Sequence, residues 1–362
     1  MVATPALSEQ RQSGKMRDVA RIYARARRPR PTCCGTIEPA MKPESKAQFL
    51  TWIAHRRTRA ICRDMGLELV EHTTSRRGIA RYIELGWRSS VHLLRSRPEL
   101  LLVQTPSVVL GALVLMLRPW VGYRLVFDAH NEAVEPYLNT SPFMKWLGEF
   151  LIRKADAVVV TNSRLAIKVD ELAGTPAVLH DPIPEPPLVE VRRPAGDFVV
   201  VIISTFASDE PLSQVFDGAT RVGESYQFYV TGNPRKLDPE LGARRPPNVT
   251  LTGFLEEAAY WQLLKSADIV MDLTLMPDCL VCGAYEAIAV GTPLVLSEGE
   301  AARELFAGAA VFVRNDPVAI ADGLLAARSD IGKLRQGAEE TKPRLDRLWQ
   351  LRAAGFKSLF TN

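Results

Sequence analysis

Short, nearly uninterrupted apolar runs recur along the chain: LLLVQ at 100–104, AVVVT at 157–161, FVVVIIS at 198–204 and IVMDL at 269–273. A strand that is apolar at every position has no face to offer to water, so it must be covered on both sides. Between these runs lie stretches with apolar residues at helical spacing, such as 78–96 and 212–222. Strand and helix alternating in this way predict parallel sheets with helices on both faces.

The alternation occurs twice. A first series runs from AQFLTWIA at 47–54, through a helix ending at Gly66, to the strand at 157–161. A second runs from 198 to a helix at 317–327. Between them HDPIPEPPLVEVRRPAG, dense in proline and without helical period, reads as an extended linker. The expected organisation is a basic, unstructured tail at 1–40, a Rossmann-like domain at 41–185, a linker at 186–196 and a second Rossmann-like domain at 197–330. C-terminal helices at 331–362, broken near Pro343, are expected to cross back to the first domain. A length of 362 residues suits two cores rather than one.

The net charge of +4 is unevenly spread. Lys and Arg against Asp and Glu number 8 to 3 over 1–40, 19 to 13 over 41–180 and 18 to 25 over the remainder. The basic half suits a solvated surface, anionic lipid or a diphosphate-linked acceptor. It does not read as a nucleic-acid module, because its cations are not interleaved with aromatics on a recognisable fold. The longest apolar run, VVLGALVLML at 108–117, closed by Arg118, Pro119 and Trp120, is too short to span a bilayer and reads as a buried helix, with an interfacial patch as the alternative. Five cysteines include the single CxxC Cys279–Cys282, with no second pair or nearby histidines to complete a zinc site. Reduced thiols, no metal, no cofactor and a cytoplasmic location, with peripheral contact at the inner face of the membrane, are the expectations.

Open parallel sheets bind ligands beyond the carboxyl ends of their strands. In the second domain IVMDL runs into TLMPDCLVC and a short helix GAYEAIAV, stopped by Gly291 and Pro293. The helix start directs backbone N–H groups of Leu280, Val281, Cys282 and Gly283 toward a bound anion, which suits a diphosphate. Asp278 before the helix and Glu286 within it can flank one molecule and accept sugar or ribose hydroxyls. Arg235 and Lys236, after YVTGN, are expected donor-phosphate contacts. Thr205, Phe206 and Ser208 lie at the neighbouring strand end, placed for base or phosphate. In the first domain FDAHNE sets Asp128, His130 and Asn131 past a strand end, while His55, Arg56 and Arg57 follow the first strand on the acceptor side. Asp128 reads as a base or as a loop cap.

Asp278, seven residues, then Glu286 followed by AIAVGTPLVLS resembles the Glu-x7-Glu element and GxP strand of the retaining family 4 glycosyltransferases, also called group 1. NVTLTGFL, YWQLLKSADIVMDL and RELFAGAAVFV resemble the flanking elements, so the likeness covers about 198–325 well and the first domain more loosely. It implies an α/β chain of the GT-B fold, two Rossmann-like domains facing each other across a cleft. It further implies that Glu286 binds the nucleotide ribose, that Asp278 contacts the donor sugar, and that His130 orients the reacting carbon. The reaction so implied is transfer from a nucleotide-sugar donor to a hydroxyl of a glycan, lipid-linked or small-molecule acceptor, with retention. Three departures stand out: Asp replaces the first Glu, AHRRTR replaces a glycine-rich loop, and STFASDEP lacks the Arg and Lys pair that grips the diphosphate. Two alternatives follow, a sugar-nucleotide epimerase and a non-catalytic scaffold on the same fold.

Overall fold

Among the described residues all the strands pair in parallel, as the unbroken apolar runs at 100–104, 157–161, 198–204 and 269–273 lead one to expect. The computed structural model describes residues 47–105, 107–129, 131–134 and 141–358, without the side chains of Glu132 and Ser358. The segment 1–40 and His130 lie outside the described residues. The chain divides into two units, one of the residues up to His180 together with those from Leu351, the other Asp181–Gln350.

The first unit runs β1 (Ala47–Thr51), α1 (Arg56–Met65), β2 (Glu68–Glu71), α2 (Gly78–Ser96), β3 (Leu100–Thr105), α3 (Val108–Val121), β4 (Arg124–Ala129), α4 (Asn131–Val134), α5 (Pro142–Lys154), β5 (Ala157–Val160), α6 (Ser163–Glu171) and β6 (Pro176–Val178). Its sheet order is β2-β1-β3-β4-β5-β6. The last helix and strand were not read from the sequence. The start signal is nevertheless there: Asn162 accepts a hydrogen bond from the Leu165 amide at 3.0 Å, an N-cap that begins α6. The run at 108–117 does form a helix, but it continues past Arg118 and Pro119 to Gly122, where a left-handed φ of 90° stops it.

The second unit runs β7 (Phe198–Ile202), α7 (Leu212–Val222), β8 (Tyr226–Thr231), a 3-10 turn (Pro234–Lys236), α8 (Pro239–Ala243), β9 (Val249–Gly253), α9 (Glu257–Ser266), β10 (Ile269–Asp272), α10 (Cys282–Ala289), β11 (Leu294–Ser297), α11 (Glu300–Phe306), β12 (Ala310–Val313), α12 (Pro317–Ser329) and α13 (Ile331–Ser358), whose residues from Leu351 are counted with the first unit. The order β12-β11-β10-β7-β8-β9 reverses direction between β7 and β10. Residues of β7 show why its sequence is uniformly apolar. Val199 and Val201 enter one core layer while Phe198, Val200 and Ile202 enter the other, as the two-residue period of a strand dictates.

Helix α13 departs from expectation by running through Pro343 without a break. Proline removes one hydrogen bond there. The fully buried Ala338 and Leu345, on either side of it, pack into the second unit's core and hold the helix in register. The same helix passes so close to the loop before β12 that a Cβ on Gly337 would lie 2.0 Å from the Gly308 carbonyl oxygen. Gly337→Ala is expected to lower stability by about 1–3 kcal/mol, the usual scale of overpacking, measured as a shift in the urea midpoint.

Candidate functional site

The reversal between β7 and β10 opens the carboxyl edge of the second sheet at a switch point, the place where doubly wound sheets take ligands. The loops leaving β7, β8 and β10 meet there. A Cβ on Gly232, just after β8, would approach the Ser204 carbonyl oxygen to 2.3 Å and the Phe206 ring to 3.1 Å, and its φ is 105°. Only glycine allows that contact. It presses the loop carrying Arg235 and Lys236 against the loop carrying Thr205 and Phe206. Arg235 and Lys236 are exposed on the 3-10 turn, whose start Asn233 caps through the Arg235 amide at 3.1 Å.

The loop after β7 differs from expectation. Its hydrogen-bond donors do not point at open space. The Thr205 amide and hydroxyl each donate to Glu210 Oε1 at 2.8 Å, and the Phe206 amide and Ser204 hydroxyl donate to Oε2 at 3.1 and 2.5 Å. A carboxylate from the chain itself thus occupies the anion-accepting nest that Thr205 and Phe206 were expected to offer a phosphate. Holding Phe206 at a left-handed φ of 58° is part of the arrangement. Ser208 is exposed farther along the same loop.

The β10 strand ends in Asp272, whose Oδ2 accepts the Gly283 amide at 3.0 Å. One of the four N–H groups assigned to a bound anion is therefore already paired, and a Cβ on Gly283 would clash at 2.4 Å with that carboxylate. Of the other three, Leu280 is buried, Val281 is the N-cap position and Cys282 is the exposed first residue of α10. Asp278 sits before the helix at φ 52°. Aspartate enters the left-handed region more readily than glutamate, which accounts for the shorter acid at this position. Glu286, half-buried one turn into α10, accepts a hydrogen bond from the Tyr260 hydroxyl of α9.

Asp272, Glu210 and Tyr260 were missed in the sequence. Asp272 carried a usable signal, since it closes a strand flanking the switch point. Glu210 and Tyr260 carried none, because each acts through a contact made only on folding. Burial first, then the carboxylates of Glu210 and Glu286, and to a smaller degree Asp209, push the Asp272 carboxyl well above its ordinary 3.8, against the pull of the Gly283 amide. A carboxyl that binds its proton more tightly when folded contributes stability below the ordinary value, and that stability is lost as pH rises through the folded one. The Asp272 contribution to the melting temperature is therefore expected to decline as pH climbs above 3.8, and Asp272→Asn to remove that decline from the pH profile.

The first unit recasts several expectations. Asp128, read as a base or loop cap, is 1% exposed and accepts from Arg57 Nη2 at 3.0 Å and Nε at 3.2 Å. Arg57 is 3% exposed, and Nη2 donates as well to the Leu179 carbonyl at 2.9 Å. The pair ties α1, β4 and the chain beyond β6 together, so both residues serve as a buried strut. His55 caps α1, its Nδ1 accepting the Arg57 amide at 3.3 Å, while Arg56 is exposed and Asn131 opens α4 half-buried. Cys62, Cys279 and Cys282 are free thiols. Burial, then Asp128 and Glu71, raise the Cys62 thiol to about 12, which keeps it protonated and unreactive. Among the described residues no cluster of His, Cys, Asp or Glu is placed to hold a metal ion.

Residues 213–353 match the family model described as glycosyl transferase-like. No curated protein sequence matches the chain. Among solved structures it is similar to sucrose-phosphate synthase from Thermosynechococcus elongatus, with 14% identity, 86% of this chain and 98% of that one covered, and a TM-score of 0.69. Anabaena HepE in complex with UDP and glucose matches with 14% identity, coverage of 86% and 91%, and a TM-score of 0.65. A putative UDP-N-acetylglucosamine 2-epimerase from Listeria monocytogenes matches with 12% identity, coverage of 86% and 97%, and a TM-score of 0.54. At such identities the likeness speaks for the fold. With its two parallel six-stranded sheets, the chain has the two-domain GT-B fold, and residues 213–353 of its second half match the glycosyl transferase-like family model.

Proposed function

We propose that the chain transfers a sugar from a nucleotide-sugar donor to a hydroxyl of a glycan, lipid-linked or small-molecule acceptor, with retention and without a metal. The observation that carries this reading is Glu286. It lies within the family-matched segment, on the helix that follows the switch-point strand, and its carboxylate is anchored by the Tyr260 hydroxyl. A carboxylate held in this way is positioned to accept a pair of ribose hydroxyls. In this reading Asp278 contacts the sugar and His130 orients its reacting carbon. Arg235 and Lys236 then meet the diphosphate, because Glu210 already fills the nest after β7. Transfer passes through an oxocarbenium-like state, so stabilising the departing diphosphate and positioning the acceptor are the protein's main tasks.

Binding of a panel of nucleoside diphosphates and nucleotide sugars, followed by calorimetry, tests the reading. UDP-sugars come first, given the UDP bound by the Anabaena protein of the same fold. Saturable binding of one nucleotide class and sugar transfer to an added acceptor are expected. The Glu210 nest favours a second reading, a non-catalytic scaffold, and a panel with no binding at all would select it. The shape shared with an epimerase raises a third, which product formation from donor alone would reveal.

A further inference from the structure

Residues 76–97, RRGIARYIELGWRSSVHLLRSR, hold six arginines against one glutamate. Wound at about 100° per residue, α2 presents three sectors. Leu85, Ser89 and Leu93 face the core. Ile79, Ile83, Trp87 and Leu94 share an arc of about 80°, and Arg81, Arg88 and Arg95 share a neighbouring one of about 40°. The middle sector is exposed rather than packed: Ile79 is 79%, Ile83 68% and Trp87 71% accessible.

The neighbouring helices continue the pattern. Right-handed crossovers place α2, α3 and α5 on one face of the first sheet, with α2 packed beside α3 and α3 beside α5. Met116 and Trp120 on α3 are 66% and 67% accessible, and on α5 Phe143 and Trp146 stack at 6.0 Å while remaining exposed. Exposed apolar side chains gathered on neighbouring helices in this way mark an interaction site. At its basic edge, between the end of β2 and α2, lies a cavity of about 510 Å³ lined by His72, Trp87, Arg88, His92 and Arg95. Burial, then Arg88 and His92, lower the His72 imidazole to about 4, so it is neutral near pH 7 beside the guanidiniums of Arg88 and Arg95.

We propose that α2, α3 and α5 form a membrane-docking face that rests on an anionic bilayer. Ile79, Ile83, Trp87 and Trp120 enter the boundary between headgroups and acyl chains, and the arginine row engages lipid phosphates, one of which enters the cavity beside Arg88 and Arg95. Tryptophan and arginine flanking an aliphatic stripe is the composition such interfaces select. Among the described residues no helix is long and apolar enough to cross a membrane, so the contact is lateral. The inference holds whether or not the second unit transfers sugar.

Co-sedimentation of the full chain with phosphatidylcholine vesicles, with and without phosphatidylglycerol, tests it. Binding should require the anionic lipid and weaken in high salt. Arg81→Gln with Arg95→Gln should lower partitioning about fivefold per charge, and Trp87→Ala with Trp120→Ala by more than about tenfold. All variants should retain the far-UV spectrum and melting temperature of the parent chain. Equal sedimentation of parent and variants, or no sedimentation, would overturn the proposal. So would dimerisation in the ultracentrifuge that disappears with the same tryptophan changes.

Discussion

Glu286→Ala is expected to weaken nucleotide-sugar binding by about 1.5–3 kcal/mol, roughly 10- to 150-fold, the scale of hydrogen bonds made to a charged acceptor, and to abolish detectable transfer. The fold should survive. Glu286 is half-buried on the surface of α10, and its removal leaves Tyr260, whose hydroxyl can turn to water, rather than an orphaned charge. Tyr260→Phe should lose less, because the carboxylate remains and only its anchoring is relaxed. Calorimetric titration with the nucleotide sugar selected by the panel, alongside a melting curve, separates the two effects. A folded Glu286→Ala protein with undiminished transfer would remove Glu286 from the site.

Arg57→Ala should have the largest effect on stability, about 3–5 kcal/mol, because it removes the guanidinium against which the Asp128 carboxylate is buried. The Arg57 and Asp128 side chains are 2% and 1% exposed, so water cannot replace the guanidinium. The Leu179 carbonyl loses its donor in the same step. A double variant with apolar residues of similar volume at both positions should recover much of the loss, since it removes the buried charge along with its counterion. Urea unfolding of the single and double variants measures this. If Asp128 were an exposed base instead, Arg57→Ala would scarcely move the midpoint.

Much of the architecture was legible in the sequence for a simple reason. Strands covered on both faces must be apolar throughout, so LLLVQ, AVVVT, FVVVIIS and IVMDL announce themselves without knowledge of their partners. The helix stop at Gly66 is equally local, since it needs only a residue that tolerates left-handed backbone. The weaker places were those where local signals conflict with packing. Pro119 and Pro343 look like helix ends, yet α3 and α13 pass through them, the latter because Ala338 and Leu345 are locked into a core. Helix α6 is only nine residues long, too short for its apolar period to repeat more than twice, and its one local start signal is the cap Asn162.

The site divides along the same line. Asp278 in the loop, the short helix after it and Glu286 within that helix are legible from spacing, because a strand end, a loop and a short helix are consecutive in the chain. The sequence by itself therefore determined the fold class, the strand-end helix and the acids before and within it, all set by neighbours a few residues away. Only the tertiary structure decided what those groups touch. Glu210 closes the nest after β7, Asp272 takes the Gly283 amide, Tyr260 anchors Glu286, and Asp128 is spent on Arg57 across 71 residues. Each is a pairing between charges or donors brought together by sheet topology. The energy of such a pairing depends on burial and distance, and neither is a property of any single stretch of chain.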